Sequence, residues 1–404
     1  MSAPRILIAP DSFKESMTAR RASEAIARGV HSVWPSAQVT LIPMADGGEG
    51  TLDAVLAGGR YEERTCGVTT AYGKPRTARF GWDPTSRAAL IETAEAAGLE
   101  HTKPEERDIW CATSNGVGEL IRAALDLDPT TIYLTLGGSA TNDAGTGMLA
   151  ALGVRFLDRA GQELGPAPDE LGDLYEVDLS ALDPRTHNVA FELAVDVDNP
   201  LLGDEGASAV FGPQKGASAD DIKRLDALLE RIADLLSVKT GADSRDVPGS
   251  GAAGGMGWAA MEVLNGTPRR GVEIVAEMVG LVEVMKSQDL VITGEGQVDP
   301  QTLSGKTAYG VAQVAKACGI PVLLLAGSVL PGAERLMEHG VTAIVPISDD
   351  AEPLEERLAR GEENLEHATA RTLSEPPAFS DLATKGVVCT REIGLGKPKP
   401  GCAP

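Results

Sequence analysis

Five short segments combine acidic residues with glycines or small polar residues, and two of them add a lysine. They are Asp11-Ser-Phe-Lys14, Asp46-Gly-Gly-Glu-Gly-Thr51, the run from Gly137 to Gly147 (GGSATNDAGTG), Asp196-Val-Asp-Asn-Pro200, and Gly294 to Thr307 (GEGQVDPQTLSGKT). Taken singly, each has an ordinary reading. Asp-Gly-Gly is a common turn, because glycine supplies positive φ and Asp caps its own backbone. Asp196 and Asp198 form an Asp-x-Asp, a pattern that is usually a solvated turn and less often a magnesium ligand pair. Lys14 and Lys306 have the composition of surface lysines. Together the five suit phosphoryl transfer, which needs carboxylates for a metal ion, backbone amides and a lysine for phosphate, and a base at the acceptor hydroxyl.

The last segment ends in Ser-Gly-Lys-Thr, like a P-loop, but a P-loop requires its first glycine where Pro300 stands. Proline has no N–H for a phosphate and fixes its own φ. The segment is therefore an acidic pair followed by a lysine at a helix start, where phosphate can still meet backbone N–H groups. Gly249-Ser-Gly-Ala-Ala-Gly254 matches a dinucleotide fingerprint in form, yet it follows Asp246-Val-Pro248 rather than an apolar strand. Gly254 and Gly255 remain candidates for phosphate contact at the start of the next helix. No Gly-x-Ser-x-Gly elbow with His and Asp partners is present.

The elements around these segments alternate. Arg5 to Ala9 reads as a buried strand, and Ala22, Ile26, Val30 and Val33 recur at helical spacing behind Thr18 as N-cap. Gln38 to Ile42 is the next strand, which makes a βαβ unit and predicts a parallel sheet. The alternation returns in Asp289 to Thr293, a helix closed by Gly319, Pro321 to Leu325, a short helix from Pro331 to His339, and Thr342 to Val345. A long helix is expected from Pro353 to Leu373. In the middle, residues 61–82 read as a hairpin turning at Tyr72-Gly73-Lys74-Pro75, and Ser218 opens an amphipathic helix. The expected fold is α/β with two domains: a Rossmann-like parallel-sheet domain from 1–62 and 287–374, interrupted by a mixed α/β domain at 63–286. Residues 375–404 read as a disordered tail. Strand-end loops of such sheets line up where ligands bind.

Composition narrows the classes. The chain has 404 residues and a formal net charge of −23, which argues against a nucleic-acid partner. No apolar run approaches the roughly 18 residues of a membrane span, and no signal peptide is evident. The five scattered cysteines form no C-x-x-C pair, which fits a reducing cytoplasm.

In chain order, "APDSFKES", "ADGGEGT", "GGSATNDAGTG", "DVDNPL", "FGPQKGA", "GAAGGMG" and "TGEGQVDPQTLSGK" are similar to the bacterial glycerate kinase family called type 2, over about residues 5–373. The resemblance implies the same interrupted Rossmann-like fold and phosphorylation of D-glycerate by ATP with Mg²⁺, favouring the 2-hydroxyl. It implies that one of Asp46, Asp196 and Asp299 acts as base or orients the substrate. Asp196 is favoured, because it follows a strand and has Asp198 beside it. Glu295, Asp299 and Asp198 are then the magnesium candidates. Lys306 would neutralise the transferring phosphate, and Lys14 would meet the glycerate carboxylate. Ser139, Thr141 and Asn142 would donate to phosphate or substrate, and Gly137, Gly138, Gly254 and Gly255 would cradle phosphate. Kinase action on another small hydroxy acid, and a noncatalytic sensor of glycerate or nucleotide, are the alternatives. The expected partners are D-glycerate and ATP in the cytoplasm, with a homodimer as the assembly to test. Where the family commonly has Asn-Asp-Gly-Gly this chain has Asn142-Asp-Ala-Gly145, so Ala144 would be strained if it takes positive φ.

Overall fold

The computed structural model describes residues 3–349 and 351–374; the tail expected at 375–404 lies outside the described residues. Contacts divide the described chain into two units, one from within 1–43 and 280–404 and the other from 44–279.

The first unit is built on a five-stranded parallel sheet. Its order is Ala343–Pro346, Val322–Val329, Leu290–Val298, Arg5–Ile8, Gln38–Leu41. Ile6, Leu7 and Ile8 are fully buried. Each such side chain contributes about 1.5–3 kcal/mol of burial, which is why a bare apolar run becomes a central strand. Helix Ala19–Val33 starts where expected, with Thr18 Oγ1 accepting the Arg21 N–H at 3.3 Å. It packs against helix Gly361–Ser374, and a Cβ at Gly29 would lie 2.5 Å from the Glu366 carbonyl oxygen.

Two expectations need correction here. The helix predicted from Pro353 to Leu373 is two helices, Leu354–Ala359 and Gly361–Ser374, broken at Arg360. The break lets Gly361 press on Ser16, whose hydroxyl donates to the Leu358 carbonyl at 2.7 Å. The strand expected to stop at Thr293 runs on to Val298, because Glu295 and Gln297 stay in register with Ala326 and Ser328. Glu295 is therefore a strand residue, not a loop residue.

The second unit has a six-stranded mixed sheet. Its order is Thr267–Arg269, Ala190–Ala194, Thr131–Thr135, Ala88–Glu92, Pro75–Asp83, Glu62–Thr69. The last two form the expected antiparallel hairpin, with Gly73 at φ +70° in the turn. The first four are parallel. Helix Ala219–Thr240 begins with a Ser218–Asp221 capping box and buries Leu225, Leu229, Ile232 and Leu236. The divisions fall at 43/44 and 279/280, whereas the sequence reading put them after 62 and 286. The first difference has a clear cause. Helix Thr51–Ala57 packs on strands Pro75–Asp83 and Ala88–Glu92, so residues 44–62 belong with the second unit. Among the described residues no helix is long and apolar enough to cross a membrane.

Candidate active site

Each unit gathers its own share of the singled-out residues at the carboxyl ends of parallel strands. In the first unit, Asp11 follows strand Arg5–Ile8, and its N–H donates to the Gly294 carbonyl at 2.8 Å. Its carboxylate accepts the Ser12 N–H at 2.6 Å and the Thr307 hydroxyl at 2.5 Å. That bond joins the first strand-end loop to the first residue of helix Thr307–Cys318. Lys14 is exposed, and its backbone nitrogen would lie 3.4 Å from a Cβ placed on Gly296.

Glu295 and Asp299 are nearly buried, at 5% and 8% exposure. Thr302 ties them together. Its hydroxyl donates to Glu295 Oε1 at 2.7 Å, its N–H donates to Asp299 Oδ1 at 3.1 Å, and its Oγ1 accepts the Asp299 N–H at 3.2 Å. Gln297 donates to Asp299 Oδ2 at 3.0 Å, and Lys306 Nζ lies 3.8 Å from Asp299 Oδ1. Pro300 thus begins a tight turn that closes on Asp299, rather than interrupting a phosphate nest. Two hard carboxylates with fixed orientations suit magnesium, which takes one or two carboxylates and completes its shell with phosphate and water oxygens. Among the described residues no group of three or more His, Cys, Asp or Glu is arranged to hold a metal ion by itself.

In the second unit, Asp46 Oδ1 accepts the Gly48 N–H at 3.2 Å, and Asp196 Oδ1 accepts the Gly271 N–H at 3.1 Å. The two acids are neighbours through glycines. A Cβ on Gly271 would fall 1.9 Å from the Asp46 carbonyl oxygen, and one on Gly47 would fall 3.7 Å from Asp196 Oδ2. Asp198 is 73% exposed and pairs with Arg270 at 3.5 Å. The Gly137–Asn142 loop meets the Asp46 loop, since a Cβ on Gly137 would sit 2.6 Å from Gly48 Cα. Gly138 takes φ +72°. Ser139 is 5% exposed, and Thr141 and Asn142 are fully buried. The Asn142 side-chain nitrogen donates to Ser208 Oγ at 2.9 Å, while Thr141 Oγ1 and Asn142 Oδ1 have no hydrogen-bond partner among the described residues.

Ala253, Gly254 and Gly255 are three successive left-handed residues at the start of helix Ala252–Leu264. The glycines allow close approach: a Cβ on Gly254 would be 2.1 Å from the Thr141 carbonyl oxygen, and one on Gly255 would be 2.9 Å from Ala144 Cα. The pair packs directly on the Thr141–Ala144 backbone. Ala144 does take positive φ, +51°.

Four residues beside the singled-out segments, three in the second unit and one in the first, escaped the sequence reading. Asp143 is wholly buried and accepts from the N–H groups of Ser114, Gly145 and Gly147 and from the Ser114 hydroxyl. Burial raises its pKa against those four donors. Glu92, 4% exposed, accepts the Gly50 N–H at 3.0 Å and the Leu52 N–H at 2.8 Å, which anchors the far end of the Asp46 loop. Burial pushes its pKa up to about 7, opposed by those two bonds. Lys215, in the quoted FGPQKGA stretch, is 2% exposed and donates to Ser139 Oγ and the Thr141 carbonyl. Burial brings its pKa down to about 8. Thr302 is the fourth, and its signal was legible: a hydroxyl three residues after Asp299 is the spacing of a side-chain-capped turn.

The comparisons with known proteins agree over nearly the whole length. A family model described as "Glycerate kinase family" matches residues 6–375. The chain is 45% identical over 372 residues to the glycerate kinase of Bacillus subtilis (strain 168), covering 92% of this chain and 97% of that one. It is 42% identical over 361 residues to the glycerate 2-kinase of Escherichia coli (strain K12), covering 89% and 95%. Among solved structures, a protein provisionally named glycerate kinase 2 from Salmonella typhimurium LT2 superposes with a TM-score of 0.81 at 42% identity, covering 92% of this chain and 97% of that one.

Proposed function

The chain belongs to the glycerate kinase family, and from that premise we propose that it transfers the γ-phosphoryl group of ATP to the 2-hydroxyl of D-glycerate, giving 2-phosphoglycerate and ADP. The observation that carries this reading is the end of strand Leu290–Val298. There Glu295 and Asp299 share Thr302, and Lys306 Nζ stands 3.8 Å from Asp299. Two fixed carboxylates beside an ammonium are what a magnesium-bound triphosphate requires. Glu295 and Asp299 would hold the ion, which when bound supplies positive charge to the phosphoryl oxygens. Asp198 is left out of that set, since its carboxylate already faces Arg270.

The substrate oxygen forms a bond to the γ-phosphorus as the bond to the ADP oxygen breaks, and the hydroxyl proton must leave. Asp196 takes that proton. Its exposed carboxylate is held in place by the Gly271 N–H, which donates to Oδ1 at 3.1 Å. Asp46, tied to the same glycine, orients the substrate. Lys306 balances charge on the moving phosphoryl group, and Lys14 meets the glycerate carboxylate. Ser139 donates to an anionic oxygen, and the backbone of Gly137 and Gly138 lies beside the same phosphate. The described cysteines, Cys66, Cys111 and Cys318, are free thiols, which suits a cytoplasmic setting.

The test is an ADP-release assay with D-glycerate, L-glycerate, glycolate and lactate, followed by ³¹P NMR of the product. ADP release with D-glycerate and a phosphomonoester on C2 is the expected result. Release with a different acid alone would move the assignment to that acid, and no release with any would leave a binding protein. The elution volume of the purified chain tests whether it is a homodimer.

A further inference from the structure

Lys215 carries a charge where lysines are rarely found. Its ammonium donates to Ser139 Oγ at 3.1 Å and to the Thr141 carbonyl at 2.6 Å, at 2% exposure. Among the described residues no carboxylate comes within ion-pair distance of it, and Asp143 acts on it only at longer range. Burying an ammonium without a counter-ion is costly, and the cost falls when an anion arrives nearby.

The direction of the hydrogen bonds says where that anion would sit. An ammonium only donates, so Ser139 Oγ accepts from Lys215 and must direct its own proton elsewhere. No acceptor for that proton lies within hydrogen-bond distance among the described residues, although Ser139 is 5% exposed. Close by, the wholly buried Thr141 Oγ1 also lacks a partner among the described residues. A loop that leaves two hydroxyls unspent, over a buried cation and against the Asp46 loop, is arranged for an anionic oxygen.

We infer that Lys215 is a positioning residue: by occupying a lone pair of Ser139 Oγ, it presents the Ser139 hydroxyl proton to an anionic oxygen of a substrate. The class of ligand is a carboxylate or phosphoryl oxygen, and the inference rests on the kinase reading only for which substrates to try. Lys215 itself is too buried to touch the ligand, so its whole effect passes through Ser139 and the Thr141 backbone.

The experiment is a double-mutant cycle on the full chain, with D-glycerate and ADP as probes in isothermal titration calorimetry. Lys215→Met is expected to weaken binding of one probe by about tenfold to a hundredfold, the range of a hydrogen bond to a charged group. In the Ser139→Ala background the same change should have less than about a threefold effect, because its route is gone. The probe that responds identifies the source: D-glycerate for a carboxylate, ADP for a phosphoryl group. Unchanged affinity for both probes overturns the inference, and so do effects of Lys215→Met and Ser139→Ala that simply multiply. Binding of neither probe by the wild type overturns it as well.

If Lys215→Met does not fold, Lys215→Arg and a wild-type pH series carry the test. At pH 9 the arginine variant should bind within about fivefold of the wild type at pH 7, since it cannot lose its charge. Wild-type affinity should fall as pH rises through about 8, where Lys215 loses its proton, and Ser139→Ala should be flat there. Asp143 acts on Lys215 at longer range, and Arg107 donates to the Gln214 carbonyl of this turn; helix Ala207–Phe211, packed on it, carries no charged residue. A wild-type series without that fall, or an equal fall in Ser139→Ala, overturns the inference. Calorimetry needs no turnover, so a wild type that binds but releases no ADP would sink the kinase reading and leave this one standing.

Discussion

Asp196 accepts the backbone N–H of Gly271 at 3.1 Å, and Gly271 lies so close to Asp46 that it has room for no side chain. One backbone point therefore sets the position of both acids proposed at the reacting hydroxyl. Asp196→Asn keeps an oxygen for Gly271 but cannot take a proton. Turnover with D-glycerate should fall about 10²–10⁴-fold, the range of general-base catalysis, while the melting temperature stays nearly unchanged. Steady-state ADP release measures the first and a thermal melt the second. Near-normal turnover would move the base to Asp46 or Asp299.

Gly137→Ala should damage the site from a position that carries no side chain. Its Cβ would arrive 2.6 Å from Gly48 Cα, and a backbone atom cannot swing away as a side chain can. The Asp46 and Ser139 loops must then separate, at a cost of about 1–3 kcal/mol in stability. Misplacing reacting groups by an ångström should also lower kcat/KM roughly a hundredfold. Urea unfolding and initial rates on one preparation give both numbers; full activity would mean that the contact between these loops is dispensable.

Ala144 sits at φ +51°, fully buried, with its N–H on the Gly254 carbonyl at 2.9 Å. Ala144→Gly relieves a left-handed strain of about 1–2 kcal/mol and removes about 0.8 kcal/mol of methyl burial. The two nearly cancel, so stability should stay within about 1 kcal/mol of wild type. Ala144→Val adds a branched side chain to the same backbone in a packed site and should cost more than about 2 kcal/mol. Denaturation midpoints of the two variants check the contrast.

Glu92 predicts a pH dependence of stability. Its pKa in the fold is about 7, against an ordinary value of 4.5, so the folded state holds the proton more tightly. The stability this gives is complete below about pH 4.5 and is lost as pH rises through about 7. Glu92→Gln cannot ionise. Its stability relative to wild type should therefore rise between pH 5 and pH 8, by an amount on the order of 2–3 kcal/mol. Urea midpoints at the two pH values measure this, and a difference independent of pH would mean that Glu92 is ionised throughout.

Much of the layout was legible in the order of residues. The apolar runs at Ile6 to Ile8 and Val322 to Leu325 have no alternative to burial, and a parallel sheet buries both faces of a strand. Thr18 and Ser218 announced two helix starts, and Gly73 a hairpin turn. Ala144 was flagged as a strained position from the residue that stands there, and its φ agrees. What escaped were long-range choices. Nothing local distinguishes a strand that ends at Thr293 from one that continues to Val298 beside Ala326 and Val329. Nothing local shows that helix Thr51–Ala57 leaves the first sheet for the second.

By itself the sequence determined the α/β pattern, the family, and the identities of the acids and lysines at the strand ends, because periodicity and motif are local properties of the chain. Only the tertiary structure decided which of those groups are buried, which are spent on one another, and which are left with something to offer. Lys215 and Glu92 are ordinary surface residue types in the sequence. The physical reason they become special is desolvation, a property of the atoms packed around a group rather than of the residue or its neighbours in the chain.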